Sequence, residues 1–236
     1  MHATRKLWTW LGIICALSFA VLGWVGAEIY LSAPPIPKQV VSVDGSVLFD
    51  EGQVQRGQQA WLSAGGQQLG TVWGHGSYVA PDWSADWLHR EALALQAIRT
   101  QQQTTTLAAP TAAERAAIAA TLRDEMRRNR YDESTGVITV SNERAQAIRA
   151  TAAHFETLFG SDPSLAHLRE QYAMADGALP LKADREALTA FFFWTSWAAT
   201  TDRPGETSAW ARSPPTMPSK DRPTSACRWP SGCPKW

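Results

Sequence analysis

Cysteine is missing from the whole stretch between Ser32 and Thr207; Cys15 lies ahead of it, and Cys227 and Cys233 fall close to the end. A domain built from that stretch folds without disulfides and holds no metal through thiolates. Net charge is missing too, since Lys+Arg and Asp+Glu both number 22. Without an excess of one sign there is no long-range pull toward nucleic acid, which is excluded as an expected partner. The histidines are His2, His75, His89, His154 and His167, and none shows H-E-x-x-H spacing. G-x-S-x-G, Walker and dinucleotide fingerprints are absent, and no two carboxylates have a spacing that demands acid–base work. Arg127, Arg128 and Arg130 read as a solvated helix end.

One long apolar run is present. Leu7 to Ala27 carries no charge, with Arg5 and Lys6 before it and Glu28 after. About 20 apolar residues cross the hydrocarbon core as a helix. Trp8, Trp10, Trp24 and Tyr30 stand near its two ends, where amphipathic rings favour the headgroup zone. Basic residues on the N-terminal side predict a cytoplasmic N-terminus and export of everything after Ser32. Val25-Gly26-Ala27 would also suit a cleaved signal peptide, but the run exceeds the usual apolar core of a signal. Residues 1–32 are therefore expected to be a transmembrane anchor in a bacterial inner membrane, with the lipid bilayer as its partner.

Beyond the anchor, Ala33-Pro34-Pro35-Ile36-Pro37 is a stiff extended exit. Val40 to Phe49 around Asp44-Gly45, and Tyr131 to Val140 around Gly136, read as small hairpins. Helices are predicted over Glu51 to Ala64, from Asp82 or Ser84 to about Gln103, and from Thr111 to about Asn129 behind a capping box. Two more run from Ser141 to Phe159 and from Asp184 to about Thr200. The last carries Leu188, Phe191, Phe192, Phe193, Trp194 and Trp197, an aromatic stripe that reads as core. The fold class is mainly α with minor β-hairpins.

The densest signal lies between Gly65 and Trp83, which packs Gly65, Gly66, Gly70, Gly74 and Gly76 together with Trp73 and Trp83. Ordinary loops are polar. One so rich in Gly and Trp suggests backbone laid closely around aromatic anchors. Trp61, Trp73, Gly74, His75, Gly76, Tyr78, Pro81, Asp82, Trp83 and Trp87 are its candidate residues, in a shape-holding rather than catalytic role. No catalytic or metal-ligating residue is assigned.

Gln58-Gln59-Ala60-Trp61, Gly65-Gly66-Gln67-Gln68 and the run from Val72-Trp73-Gly74-His75-Gly76-Ser77-Tyr78-Val79-Ala80-Pro81-Asp82-Trp83 to Glu91 resemble the N-terminal region of quinol-dependent nitric oxide reductases. Phe191-Phe192-Phe193-Trp194-Thr195-Ser196-Trp197 and Asp202-Arg203-Pro204-Gly205 resemble the end of that region, so the resemblance covers about 5–207. It implies an exported, cytochrome c-like domain over 33–207. In the family a haem-binding membrane bundle follows, where haem b and non-haem iron couple two NO into N2O with electrons from quinol. Related two-subunit enzymes carry haem c on a C-x-x-C-H motif. Alignment on Gly74, Gly76, Tyr78 and Ala80-Pro81-Asp82 sets Gly66, Leu69 and Gly70 at the two thiol positions and the imidazole position of that motif. Thioether attachment needs thiols and the axial bond an imidazole, so a domain without haem is expected. Trp73, Trp83 and Trp87 are the expected fillers of the vacated volume.

From Ser208 to Trp236 there is no Val, Ile, Leu, Phe or Tyr, but six Pro and three Trp. Such a tail is expected to be disordered, and its composition suits a message read out of frame. The resemblance then implies a truncated reductase, with no cofactor in this chain. The alternatives are a membrane-tethered periplasmic interaction or sensor domain without catalytic activity, and a haem-binding electron carrier.

Overall fold

A computed structural model describes residues 2–31, 33–74, 76–77, 79–103 and 111–202. His75, Tyr78 and the predicted tail 208–236 lie outside the described residues.

Helix α1, His2–Leu31, takes up the apolar run. Every side chain on it from Thr4 to Leu31 is exposed, and its most apolar window has a mean hydropathy of 2.0. At 1.5 Å per residue this helix is about 45 Å long, the thickness of a bilayer with its headgroups. It is long and apolar enough to cross a membrane.

Strand β1 (Gln39–Ser42) pairs antiparallel with β2 (Val47–Phe49), and β3 (Tyr131–Asp132) pairs antiparallel with β4 (Val137–Val140). These are the two predicted hairpins. Unforeseen is their union, for β1 also pairs parallel with β4, from Gln39↔Val137 to Ser42↔Val140, giving one sheet in the order β2-β1-β4-β3. Val40, Ile138 and Val140 on these two strands are buried.

The helices are α2 (Gln53–Ser63), α3 (Trp83–Gln103), α4 (Ala112–Arg127), α5 (Asn142–Leu158), α6 (Ala166–Gln171) and α7 (Lys182–Thr200). The predicted capping box of α4 is present: Glu114 N–H donates to Thr111 Oγ1, and the Thr111 N–H donates to the Glu114 carboxylate. The α5 cap is present too, as Arg144 N–H donates to Ser141 Oγ.

Helix α7 is the central strut. Leu188, Phe191, Phe192, Phe193 and Trp197 are all buried, and α7 packs on α2, α3 and α5. Its tightest contact is with α2 at Gly57, where an added Cβ would lie 2.0 Å from the Ala187 carbonyl oxygen and 2.7 Å from Phe191 Cβ. Glycine here lets two helix backbones touch, which no side chain would permit. Leu95, Met126 and Ala147 form a smaller cluster that joins α3, α4 and α5.

Residues 161–181 give no periodic signal in the sequence, yet they are structured. Pro163–Leu165 makes a 3₁₀ turn capped by Asp162, and α6 follows. Buried Arg169 ties the segment down, donating to the Asp162 carbonyl at 2.7 Å and pairing with Asp176 at 2.9 Å.

Candidate functional site

The Gly/Trp loop leaves α2 through a 3₁₀ turn at Gly66–Gln68 and re-enters helix at Trp83. Asp82 organises it from both sides. One carboxylate oxygen accepts from Ala85 N–H at 3.0 Å, capping α3. The other accepts from Gly74 N–H at 2.6 Å and from Thr71 Oγ1 at 3.0 Å. Thr71 Oγ1 in turn accepts from Gly76 N–H at 2.9 Å, and the Trp83 N–H donates to the Thr71 carbonyl at 2.8 Å. Nearer the tip, Ser77 N–H and the Ala80 carbonyl close a tight turn ahead of half-buried Pro81. The loop is a backbone clasp locked by one carboxylate.

Beneath the clasp lies Trp83, fully buried. Its indole stacks on Phe192 with centroids 5.7 Å apart and meets Phe155, Phe159 and Tyr172 edge-on. Trp87, one turn later, is also fully buried and stacks on Phe155 at 5.3 Å. Trp61 closes the other side against Phe191, and its indole N–H donates to the Gly70 carbonyl at 3.3 Å. Aromatic pairs in offset or edge geometry add stability beyond the area they bury.

The residues aligned on the haem motif meet this cluster directly. A Cβ added at Gly70 would lie 2.3 Å from Trp83 Nε1 and 2.5 Å from Cε2, with a backbone φ of +143° that side chains rarely adopt. The direction in which an axial imidazole would leave the backbone is thus filled by the Trp83 ring. Gly66 and Leu69 are buried and supply no thiol. The buried Trp83 Nε1–H finds no acceptor among the described residues. Over the motif lies an open depression of about 580 Å³, lined among the described residues by Gln67, Gln68, Gly76, Ser77 and Val79. These residues do not fit a covalently held haem. No group of three His, Cys, Asp or Glu side chains among the described residues could hold a metal ion.

Trp73 departs from expectation. It is not a core filler: its side chain is 51% exposed, and its φ of +53° is strained for a residue with a Cβ. Its indole N–H donates to the Thr195 carbonyl at 2.7 Å, and its ring lies 5.3 Å from that of Trp194 on α7. Residue type is the same for Trp73 and for the buried indoles, so it does not separate a tryptophan pinned by its N–H, with one face in the open, from those of the interior.

Sequence reasoning also missed a buried polar chain behind Trp87. The Trp87 indole N–H donates to Glu91 at 2.8 Å, and the other Glu91 oxygen pairs with Arg144 Nε at 2.7 Å. Arg144 reaches on to the Glu125 carbonyl at 3.0 Å. The Glu125 carboxylate pairs with Arg130 at 2.8 Å and lies 3.8 Å from Arg99. Glu91, Arg144 and Glu125 are buried. Arg130 is therefore not part of a solvated helix end, whereas Arg128 is exposed and pairs with Asp124. The chain of contacts locks α3, α4 and α5 together. The sequence shows only scattered charges, since Glu91 and Arg144 are far apart in it.

Of the described histidines, His154 is half-buried against Phe155, and His167 is exposed beside Gln171 and Glu170. Burial, and then the positive charge of Arg90, hold the His154 imidazole below its ordinary pKa, with Asp86 opposing.

A mainly helical domain with one small sheet, in which α2 and α7 pack on each other, is of the cytochrome c-like class. The family model for the NorB cytochrome c-like domain of nitric oxide reductase matches residues 37–216, and the chain belongs to that family. The match passes the compositional break at Ser208 before it ends. No curated protein matches the chain.

Proposed function

We propose that this chain supplies the membrane anchor and a haem-free cytochrome c-like domain of a quinol-dependent nitric oxide reductase. The observation that carries this reading is the contact of Gly70 with Trp83, where an indole occupies the space an axial imidazole would need. A domain so filled relays no electrons, in keeping with quinol delivering them within the membrane. The role of the domain is structural: it covers the exported face of the haem-binding bundle and shapes access for quinol or NO. Helix α1 anchors it with the N-terminus in the cytoplasm, because Arg5 and Lys6 precede the apolar run.

Two measurements test this. A phosphatase reporter that works only outside the cytoplasm, fused after residue 202, is expected to be active; an inactive fusion overturns the orientation. The purified chain, given a reduced quinol and NO, is expected to consume no NO. Turnover by this chain alone would overturn the assignment of chemistry to the bundle.

A further inference from the structure

Trp73 is half exposed beside Trp194. Trp194, on which it packs, donates its indole N–H to the Pro35 carbonyl at 2.9 Å. Pro35 stands four residues beyond Leu31, where α1 ends. Even fully extended, that link is about 14 Å long, and the prolines at 34 and 35 keep it stiff. Trp194, and Trp73 packed on it, thus lie close to the point from which the apolar helix departs. Ile36, the next residue along the chain after Pro35, is 42% exposed.

Trp73 is also held in place rather than left over. Its left-handed backbone is strained for a residue with a side chain, and it is maintained by Ser84 Oγ accepting from its N–H at 3.2 Å. Because its indole N–H is already satisfied by Thr195, what it offers outward is an apolar ring face with no further polar demand. Tryptophan at the boundary between headgroups and hydrocarbon is favoured for that amphipathic character.

We propose that Trp73, backed by Trp194, is a bilayer-contact site at the edge of the domain beside α1, outside the area that covers the bundle, through which that edge rests on the phospholipid headgroup layer and sets the tilt of the domain relative to α1. This rests on α1 being the membrane anchor. The partner is the lipid surface; a second protein covering the same ring is the competing outcome.

The test uses the full chain labelled with 5-fluorotryptophan in nanodiscs of phosphatidylcholine and phosphatidylglycerol, with a nitroxide on a fraction of the headgroups. Trp73 is assigned through the Trp73→Phe variant, with Trp24 on α1 and buried Trp83 as references. The expected result is broadening of the Trp24 and Trp73 fluorine resonances several-fold beyond that of Trp83. Broadened Trp24 with Trp73 reached only by a soluble gadolinium chelate means that the loop faces water, and overturns the proposal while the anchor stands. Broadened Trp24 with Trp73 reached by neither reagent means that protein covers the ring, which also overturns it. Trp24 untouched by the headgroup nitroxide would sink the anchor reading and this proposal with it.

Discussion

Gly70 and Trp83 are in a contact so close that a single methyl group on the glycine would overlap the indole, at 2.3 Å from Nε1. The two residues depend on each other. Gly70→Ala is expected to destabilise the domain by about 2–3 kcal/mol through overpacking and a disfavoured φ. Trp83→Ala is expected to cost about 3–5 kcal/mol by opening a cavity. Gly70→Ala placed on Trp83→Ala should then cost less than on the parent, because the clash is gone. Denaturant unfolding of the four proteins checks the coupling; strict additivity would refute the contact.

A second close approach lies between α2 and α7. Gly57→Ala would drive a methyl group into the Ala187 carbonyl, and backbone cannot yield as a flexible side chain can. A loss of about 3 kcal/mol is expected, at the upper end for overpacking. A thermal midpoint unchanged within error would show that the two helices are not packed as described.

The buried pair Glu91–Arg144 makes a directional prediction. Glu91→Gln leaves Arg144 uncompensated and is expected to cost about 3–5 kcal/mol. Replacing both residues by Met should recover much of that loss, since two buried apolar side chains leave no orphaned charge. The same unfolding experiment decides it: a double variant less stable than Glu91→Gln would contradict the pairing.

Helices, caps and both hairpins were legible in the sequence because each rests on local signals: Thr111 with Glu114, Ser141 before an apolar face, Asp44-Gly45 and Gly136 at turns. The parallel pairing of β1 with β4 was not, because it joins residues about a hundred positions apart and leaves no periodic trace. At the site, the loss of thiols and imidazole at Gly66, Leu69 and Gly70 could be read directly, but the fate of each tryptophan could not. Trp73 in the loop and Trp83 at the start of α3 share one residue type, yet one is half-exposed and the other buried. What separates them is the Asp82 clasp and the Thr195 carbonyl, both products of the folded chain.

Asp82 should be the most sensitive loop position. Asp82→Ala removes the α3 cap and the acceptor for Gly74 N–H and Thr71 Oγ1 together. A cost of about 2–4 kcal/mol is expected from a cap and charge-assisted hydrogen bonds. Amide hydrogen exchange at Gly74 and Ala85 should rise in this variant before exchange in α7 does. Uniform exchange across the domain would argue against a local clasp.

His154 gives the pH dependence a sign. Its folded-state pKa lies below the unfolded value, so the unfolded chain binds the proton more readily. Its contribution to stability is complete above the unfolded pKa of about 6.5 and is lost as pH falls through the lower folded value. Glu156 works the other way: burial, and then Glu186, raise its pKa, so its protonation favours the fold in acid. The two are separated by difference. The gap in stability between the parent and His154→Asn should shrink as pH falls from neutral toward 5; a gap independent of pH would contradict the assignment.

The most direct measurement is the visible absorption spectrum of the full chain, purified from cells that also produce mature c-type cytochromes. With Trp83 seated against Gly70 and no thiol at positions 66 and 69, the expected spectrum shows the protein band and no Soret band. A Soret band that survives acid–acetone extraction would mean covalently held haem, and would contradict an interior packed with indole and phenyl rings.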